Sequence, residues 1–225
     1  MAAGLGGGSA DAAAALRLAR HASGLGDEQL LLALASGLGA DVPAQVSPGR
    51  WLASGAGERL EELAPARSPF GVLVLPADAE LSTAAVYAEA DRLGLVRGEA
   101  ALSVRRRELR SALEHGAPLP AATELVHNDL QRAAVSLCPQ IADALEQARE
   151  AGAEPAIVSG SGPTVIGLFP HSGRSPEGGL ALARAAAGSL SGRVPAPICA
   201  VPVDATFARP ASDGLVRHNS RGTDE

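Results

Sequence analysis

The sequence contains no lysine and very few aromatic residues, and its composition restricts both the partners and the core that the protein can have. All 19 basic residues are arginines, against 25 aspartates and glutamates, so the formal net charge is −6. This charge argues against a nucleic-acid partner, which needs a basic face. Aromatic residues make up only 2% of the chain although 46% of it is hydrophobic. The core must therefore be built from alanine, leucine and valine.

Cysteines, paired histidines and long apolar runs are also scarce. Cys138 and Cys199 are the only cysteines, and two distant thiols are typical of buried residues in a reducing compartment. No two of the five histidines stand four residues apart, so no metal site built from protein ligands is predicted. No apolar run reaches the roughly 20 residues that a membrane-spanning helix needs. We predict a cytoplasmic protein with no membrane partner.

Glycine, in contrast, is concentrated near the start of the sequence. Four glycines lie between residues 4 and 8, directly before an alanine-rich stretch. Glycine lacks the Cβ atom that keeps a ligand away from the backbone. The start of the following helix presents free N–H groups and the positive end of the helix dipole. With Ser9 as a suitable N-cap and Asp11 as a favourable charge in the first turn, the stretch predicts a phosphate site.

Two common phosphate loops do not fit these residues. A Walker A loop ends in Gly-Lys-Ser/Thr, and the chain has no lysine. A Rossmann fingerprint needs a preceding strand and a third glycine where Ser9 stands. On composition alone, a flexible glycine-rich segment beside an alanine-rich helix stays open as an alternative.

Three separate motifs resemble those of the GHMP kinases and occur in the order of that family. The first is AGLGGGSADAA at residues 3–13, the second is LGADVP at residues 38–43, and the third is VSGSGPT at residues 158–164. The resemblance covers nearly the whole chain. It implies a small-molecule kinase that uses ATP and Mg²⁺.

The resemblance also assigns roles to individual residues. It implies that the ATP phosphates contact Ala3, Gly4, Leu5, Gly6, Gly7, Gly8 and Ser9. It implies that Asp41 orients the acceptor hydroxyl and takes its proton. Residues expected to bind substrate or support the loops are Gly39, Ala40, Thr83, Ser159, Gly160, Ser161 and Gly162. From the residues alone, Asp41 fits a loop-capping aspartate equally well, and residues 159–164 fit a plain turn between two strands.

Fold class and domain boundaries follow from the resemblance and from the alternation of predicted strands and helices. We expect an α/β (α+β) protein with the two-domain GHMP kinase fold. Residues 1–76 would form part of an N-terminal, ribosomal-protein-S5-like, ATP-binding domain. Residues 77–208 would form a ferredoxin-like C-terminal domain. Residues 209–225 are polar without periodicity, and we expect them to be disordered.

Within the family, the motifs favour a kinase of the non-mevalonate isoprenoid pathway. A homoserine- or mevalonate-type kinase is one alternative, and a non-catalytic ATP-binding module is another. The family's Pro-x-Lys-Ile-Asn and Gly-Tyr-His blocks do not occur in the sequence. We therefore expect the chain to lack an N-terminal segment of the family, with its lysine, and to show little activity by itself. The expected state is a monomer or weak homodimer.

Overall fold

The computed structural model describes residues 4–66, 70–116, 125–170, 178–203 and 206–207. Its helices are α1 (Gly7–Ser23), α2 (Glu28–Leu38), α3 (Val42–Val46), α4 (Thr83–Arg92), α5 (Glu99–Leu113), α6 (Gln131–Leu137), α7 (Gln140–Glu150) and α8 (Gly178–Ser189). Its strands are β1 (Trp51–Ser54), β2 (Arg59–Glu62), β3 (Phe70–Leu75), β4 (Ala156–Val158), β5 (Val165–Pro170) and β6 (Ile198–Ala200). Ala3 and the tail 209–225 lie outside the described residues, as do the predictions made for them.

Helix α1 begins earlier than the sequence indicated. Its N-cap is Gly6, whose φ of 64° is left-handed, and no side chain caps the helix. The prediction that Ser9 caps this helix and that Asp11 lies in its first turn is therefore wrong. The left-handed turn at Gly6 redirects the chain so that the helix starts at Gly7. Its end at Gly24, also left-handed, agrees with the predicted stop.

Helices α1, α2 and α3 pack into a small core of their own. Asp27 caps α2, accepting a hydrogen bond from the Leu30 N–H at 2.8 Å. Asp41 precedes α3 and Pro43 lies in its first turn, a position that needs no N–H donor. Asp41 thus stands at the head of a short helix. The buried residues of this core are Ala13, Leu31, Ala35, Val42 and Val46.

Strands β1 and β2 form an antiparallel hairpin that pairs Trp51 with Glu62 and Ser54 with Arg59. The hairpin turn reaches back to the loop before α3. A Cβ placed on Gly57 would lie 2.0 Å from the carbonyl oxygen of Ala40, and Gly57 has a φ of +100°. Only glycine allows this contact between the turn and the loop.

The remaining strands form a four-stranded antiparallel sheet in the order β4-β5-β3-β6. Helices α7 and α8 pack against it, and its core also includes residues of α4 and α6. Strand β3 is central, pairing with β5 on one side and β6 on the other. Residues 70–75 come before the predicted domain boundary, and their ladder partners all come later in the chain. The division at residue 76 remains a prediction.

The architecture is α+β, as expected. No helix in the described part of the chain combines the length and apolar character needed to cross a bilayer.

Candidate functional site

The start of α1 presents backbone donors that the helix cannot use. The first helical bond at this end runs from the Ala10 N–H to the carbonyl oxygen of Gly6, at 2.9 Å. The N–H groups of Gly7, Gly8 and Ser9 therefore have no acceptor within the helix, and no side chain caps them. A Cβ placed on Gly7 or Gly8 would meet no atom within 4 Å. This end of α1 is open and rich in donors, which suits an anionic group.

The loop before α1 packs directly on the third motif. The Ser159 hydroxyl donates to the carbonyl oxygen of Gly4 at 2.7 Å. A Cβ on Gly4 would lie 2.3 Å from the Ser159 carbonyl oxygen and 2.8 Å from that of Gly162. Gly4 also has a φ of +69°, so its conformation and its surroundings both require glycine. The contact between the two motifs, which the resemblance implied, is present.

The third motif is further held by Thr83, the first residue of α4. The Thr83 and Ser161 hydroxyl oxygens lie 3.0 Å apart. Gly162 is packed closely, because a Cβ there would lie 3.1 Å from Cγ1 of Val158. Thr83 thus belongs to the support of this loop.

Asp41 lies beside Gly6 of the glycine loop. A Cβ placed on Gly6 would be 4.0 Å from Oδ2 of Asp41 and 3.6 Å from Nε2 of Gln45. Asp41 is exposed, and its carboxylate accepts no capping bond from α3. The Arg17 guanidinium donates to the Gln45 carbonyl oxygen, joining α1 to the end of α3.

The hairpin turn fixes the loop that carries Asp41. Gly57 contacts Ala40, as described, and the next residue, Glu58, closes the turn by accepting from the Ala56 N–H at 2.6 Å. Hydrogen bonds from the backbone N–H groups of Glu58 and Ala56 hold the pKa of the Glu58 carboxyl below its ordinary value. The Glu58 carboxylate therefore stabilises the turn in which Gly57 contacts Ala40.

The predicted site residues thus fall into one connected region. Gly4 and Gly6 join the third motif to Asp41, while Gly39 and Ala40 form the loop before Asp41. Sequence reasoning missed Gln45 and Gly57, and it treated Asn128 only as part of a helix junction. In the sequence, only a Gly-x-Gly pattern indicates the positive φ of Gly57 and its close approach to Ala40. The binding and catalytic roles remain predictions.

The residues around α1 fit a phosphate group better than a metal held by protein alone. No group of three or more histidine, cysteine, aspartate or glutamate side chains suited to a metal ion occurs among the described residues. Mg²⁺ in phosphoryl-transfer sites is held by one or two carboxylates together with the phosphates, and Asp41 is the carboxylate beside the glycine loop.

Residues 108–188 match the family model described as "GHMP kinases C terminal". The match includes α6, α7, β4 and β5, and it contains the whole third motif. The loop that contacts Gly4 and the strands on either side of it therefore lie within the matched residues, whereas Thr83 of α4 lies outside them.

Curated relatives extend the similarity beyond the GHMP domain. The chain is 43% identical over 188 residues to 4-diphosphocytidyl-2-C-methyl-D-erythritol kinase of Streptomyces avermitilis, a match that covers 82% of this chain and 60% of the relative. It is 41% identical over 192 residues to the protein of the same name from Anaeromyxobacter sp., covering 84% of this chain and 58% of the relative. The chain thus spans about three-fifths of the length of these relatives.

Two solved structures share the fold. A crystal structure of 4-(cytidine 5'-diphospho)-2C-methyl-D-erythritol kinase matches with a TM-score of 0.63 and 31% identity, covering 88% of this chain and 65% of that one. Homoserine kinase from Cytophaga hutchinsonii matches with a TM-score of 0.54 and 19% identity, covering 80% of this chain and 58% of that one. The second likeness concerns the fold alone.

Proposed function

We propose that this protein is an ATP-dependent kinase that phosphorylates the 2-hydroxyl of 4-diphosphocytidyl-2-C-methyl-D-erythritol. The observation that carries the proposal is the meeting of three motifs at the open end of α1. Gly4 is hydrogen-bonded to Ser159, and Gly6 lies beside Asp41. Backbone N–H groups that can donate hydrogen bonds to phosphate thus lie close to a carboxylate.

In this proposal the backbone binds the phosphates of ATP. The free N–H groups of Gly7, Gly8 and Ser9 donate to phosphate oxygens, and the dipole of α1 favours the negative charge. Mg²⁺, when bound with ATP, neutralises charge on the phosphates. The open space at Gly7 and Gly8 lets the phosphates approach the backbone.

Asp41 is proposed to act on the acceptor. Its exposed carboxylate orients the substrate hydroxyl and takes its proton as the hydroxyl oxygen attacks the γ-phosphorus of ATP. Phosphoryl transfer needs positioned reactants and stabilised charge more than covalent help from the protein. A carboxylate beside a backbone phosphate site can both position the acceptor hydroxyl and accept its proton.

The identity of the acceptor is supported by the relatives. The curated relatives at 41–43% identity are named for 4-diphosphocytidyl-2-C-methyl-D-erythritol, whereas the homoserine kinase is only 19% identical. We further propose a cytoplasmic location and a monomer or weak homodimer. Leu30, Leu34 and Leu38 of α2 are 49–60% exposed, and light scattering over a range of concentrations would measure any self-association through them.

The experiment measures binding and transfer separately on the full 225-residue chain. Calorimetry with an ATP analogue that cannot be hydrolysed tests the phosphate site. An assay of ADP formation then compares 4-diphosphocytidyl-2-C-methyl-D-erythritol with homoserine and mevalonate. Transfer to the first acceptor alone supports the proposal. Transfer only to homoserine or mevalonate contradicts the acceptor, binding without any transfer indicates an ATP-binding module, and no binding contradicts the site.

A further inference from the structure

Asn128 makes three hydrogen bonds that together use its whole side-chain amide. Oδ1 accepts from the Leu130 N–H at 2.9 Å, next to the start of α6. Nδ2 donates to the carbonyl oxygen of Val158 at 2.8 Å and to that of Gly160 at 2.7 Å. The reversed amide would place its oxygen against two carbonyl oxygens and its NH₂ against an N–H. Only one orientation satisfies all three partners.

The two carbonyl groups that Asn128 binds lie on either side of Ser159. In a planar trans peptide, the C=O and the following N–H point in opposite directions, so binding both carbonyls orients the peptide that enters the turn and the peptide at its centre. The Ser159 N–H is bonded to the Thr164 carbonyl oxygen at 2.9 Å. Ser159 is thereby held with its hydroxyl directed at Gly4.

Asn128 is also linked to the glycine loop through Gly160. A Cβ on Gly160, whose carbonyl Asn128 binds, would lie 3.2 Å from the Gly4 carbonyl oxygen. A shift of the Gly160 peptide would therefore press on Gly4 or release it. Gln131, at the start of α6, accepts from the Val158 N–H at 3.0 Å.

The adjacent charged residues do not take part in this contact. Asp129 accepts two bonds from Nε of Arg97, both at 2.8 Å, and His127 lies against the same pair. These partners tie the segment before α6 to the loop between α4 and α5 rather than to the third motif. They provide a matched control, because they anchor the same segment without touching residues 158–160.

We propose that Asn128 is a positioning residue for the phosphate loop, acting through Gly160 and Ser159 on Gly4. This inference deepens the proposed function and rests on it. The residue touches neither ATP nor the acceptor. Its effect is to set where the backbone donors at the start of α1 stand relative to the third motif.

Asn128→Asp tests this inference with little change in size. The carboxylate keeps the bond from Leu130 N–H, but it places an oxygen against two carbonyl oxygens, so the Gly160 peptide must move. We expect KM for ATP to rise about tenfold, the equivalent of roughly 1.4 kcal/mol, with KM for the acceptor within twofold. Arg97→Gln is the control, and its KM for ATP should stay within twofold of the parent.

A double-mutant cycle separates positioning from general loss of stability. If Asn128 acts through Ser159, then Asn128→Asp should raise the dissociation constant of the ATP analogue much less in a Ser159→Ala background. Additive effects, or equal effects on both KM values, would overturn the inference. Should Asn128→Asp fail to fold, Asn128→Ser takes its place, since its shorter side chain retains an acceptor for Leu130 N–H but does not reach residues 158 and 160.

The outcome for the parent distinguishes the two proposals. A parent chain that binds no ATP contradicts the proposed function and this inference together. A parent that binds ATP, with Asn128 variants of equal affinity and unchanged KM for ATP, contradicts only the inference.

Discussion

The Ser159 hydroxyl donates a hydrogen bond to the Gly4 carbonyl oxygen at 2.7 Å, although the two residues stand 155 positions apart in the chain. This bond joins the loop before α1 to a loop of the four-stranded sheet. The two parts have separate cores, so the candidate site depends on a contact between them. Substitutions at this contact should change ligand binding more than they change either core.

Gly4→Ala should weaken ATP binding more than tenfold. The new Cβ would stand 2.3 Å from the Ser159 carbonyl oxygen, and a left-handed φ costs a residue other than glycine about 1–2 kcal/mol. Gly24→Ala is the matched control, because Gly24 has a φ of +66° and no atom within 4 Å of its Cβ position. We expect both variants to lower the melting temperature and only Gly4→Ala to weaken binding more than tenfold in calorimetry. Similar ATP affinities for the two variants would contradict the contact.

Gly7→Val should weaken ATP binding without a comparable loss of stability. A Cβ on Gly7 meets no protein atom within 4 Å, and replacing a helical glycine removes a cost of about 0.5–1 kcal/mol. The valine side chain would instead occupy the space that the phosphates need. Gly37→Val in α2, where a Cβ also meets nothing, should leave the ATP affinity unchanged. If Gly7→Val binds ATP as the parent does, the phosphates do not approach this end of α1.

Asp41→Asn should lower the turnover of the parent, however small that turnover is, by about 10²- to 10⁴-fold, the usual contribution of a general base. The amide keeps the size of the side chain but cannot take the acceptor proton. The dissociation constant for ATP should change less than twofold, since the backbone of α1 binds the phosphates. Asp27→Asn is the control, because asparagine caps a helix as well as aspartate does and Asp27 caps α2. An Asp41→Asn variant with most of its turnover would leave Asp41 a structural residue.

Acid should destabilise the protein through Glu89, a buried carboxylate in α4. Hydrogen bonds from Arg92 and Ser136 lower its pKa from 4.5 to about 2. Because the pKa is lower in the folded chain, the charged form stabilises the fold above pH 4.5, and this contribution is lost as the pH falls from 4.5 to 2. The parent should therefore lose more stability than Glu89→Gln across this interval in urea titrations. Parallel losses in the two proteins would show that Glu89 contributes no such dependence.

Much of the fold follows from local sequence signals. The caps at Asp27 and Ser82 and the apolar run Phe70–Leu75 predict α2, α4 and β3 close to their observed bounds. The start of α1 was misplaced because Ser9 is a good cap by type, whereas the left-handed turn at Gly6 comes first. A serine inside a helix and a serine at its start look alike when the backbone conformation is unknown.

The candidate site is less accessible to such reasoning, because its contacts join distant positions. The bond from Asn128 to Gly160 spans 32 residues, and nothing near Asn128 in the sequence indicates that partner. The pairing of β3 with β5 and β6 is equally non-local, and nothing near Phe70–Leu75 in the sequence indicates those partners. Motif resemblance supplied Asp41 and the third motif, and neither periodicity nor capping would have selected them.

The central place of β3 also constrains the order in which the protein can assemble on the ribosome. Its residues pair with partners such as Val165 and Pro170 on one side and Ile198 and Ala200 on the other. One edge of this apolar strand therefore stays unpaired until β5 has been synthesised, and the other until β6 has been synthesised. Non-local pairing of this kind slows folding, and exposed strand edges promote aggregation meanwhile. Translation must proceed past β6 before this sheet can close, whereas α1, α2 and α3 can pack as soon as they emerge.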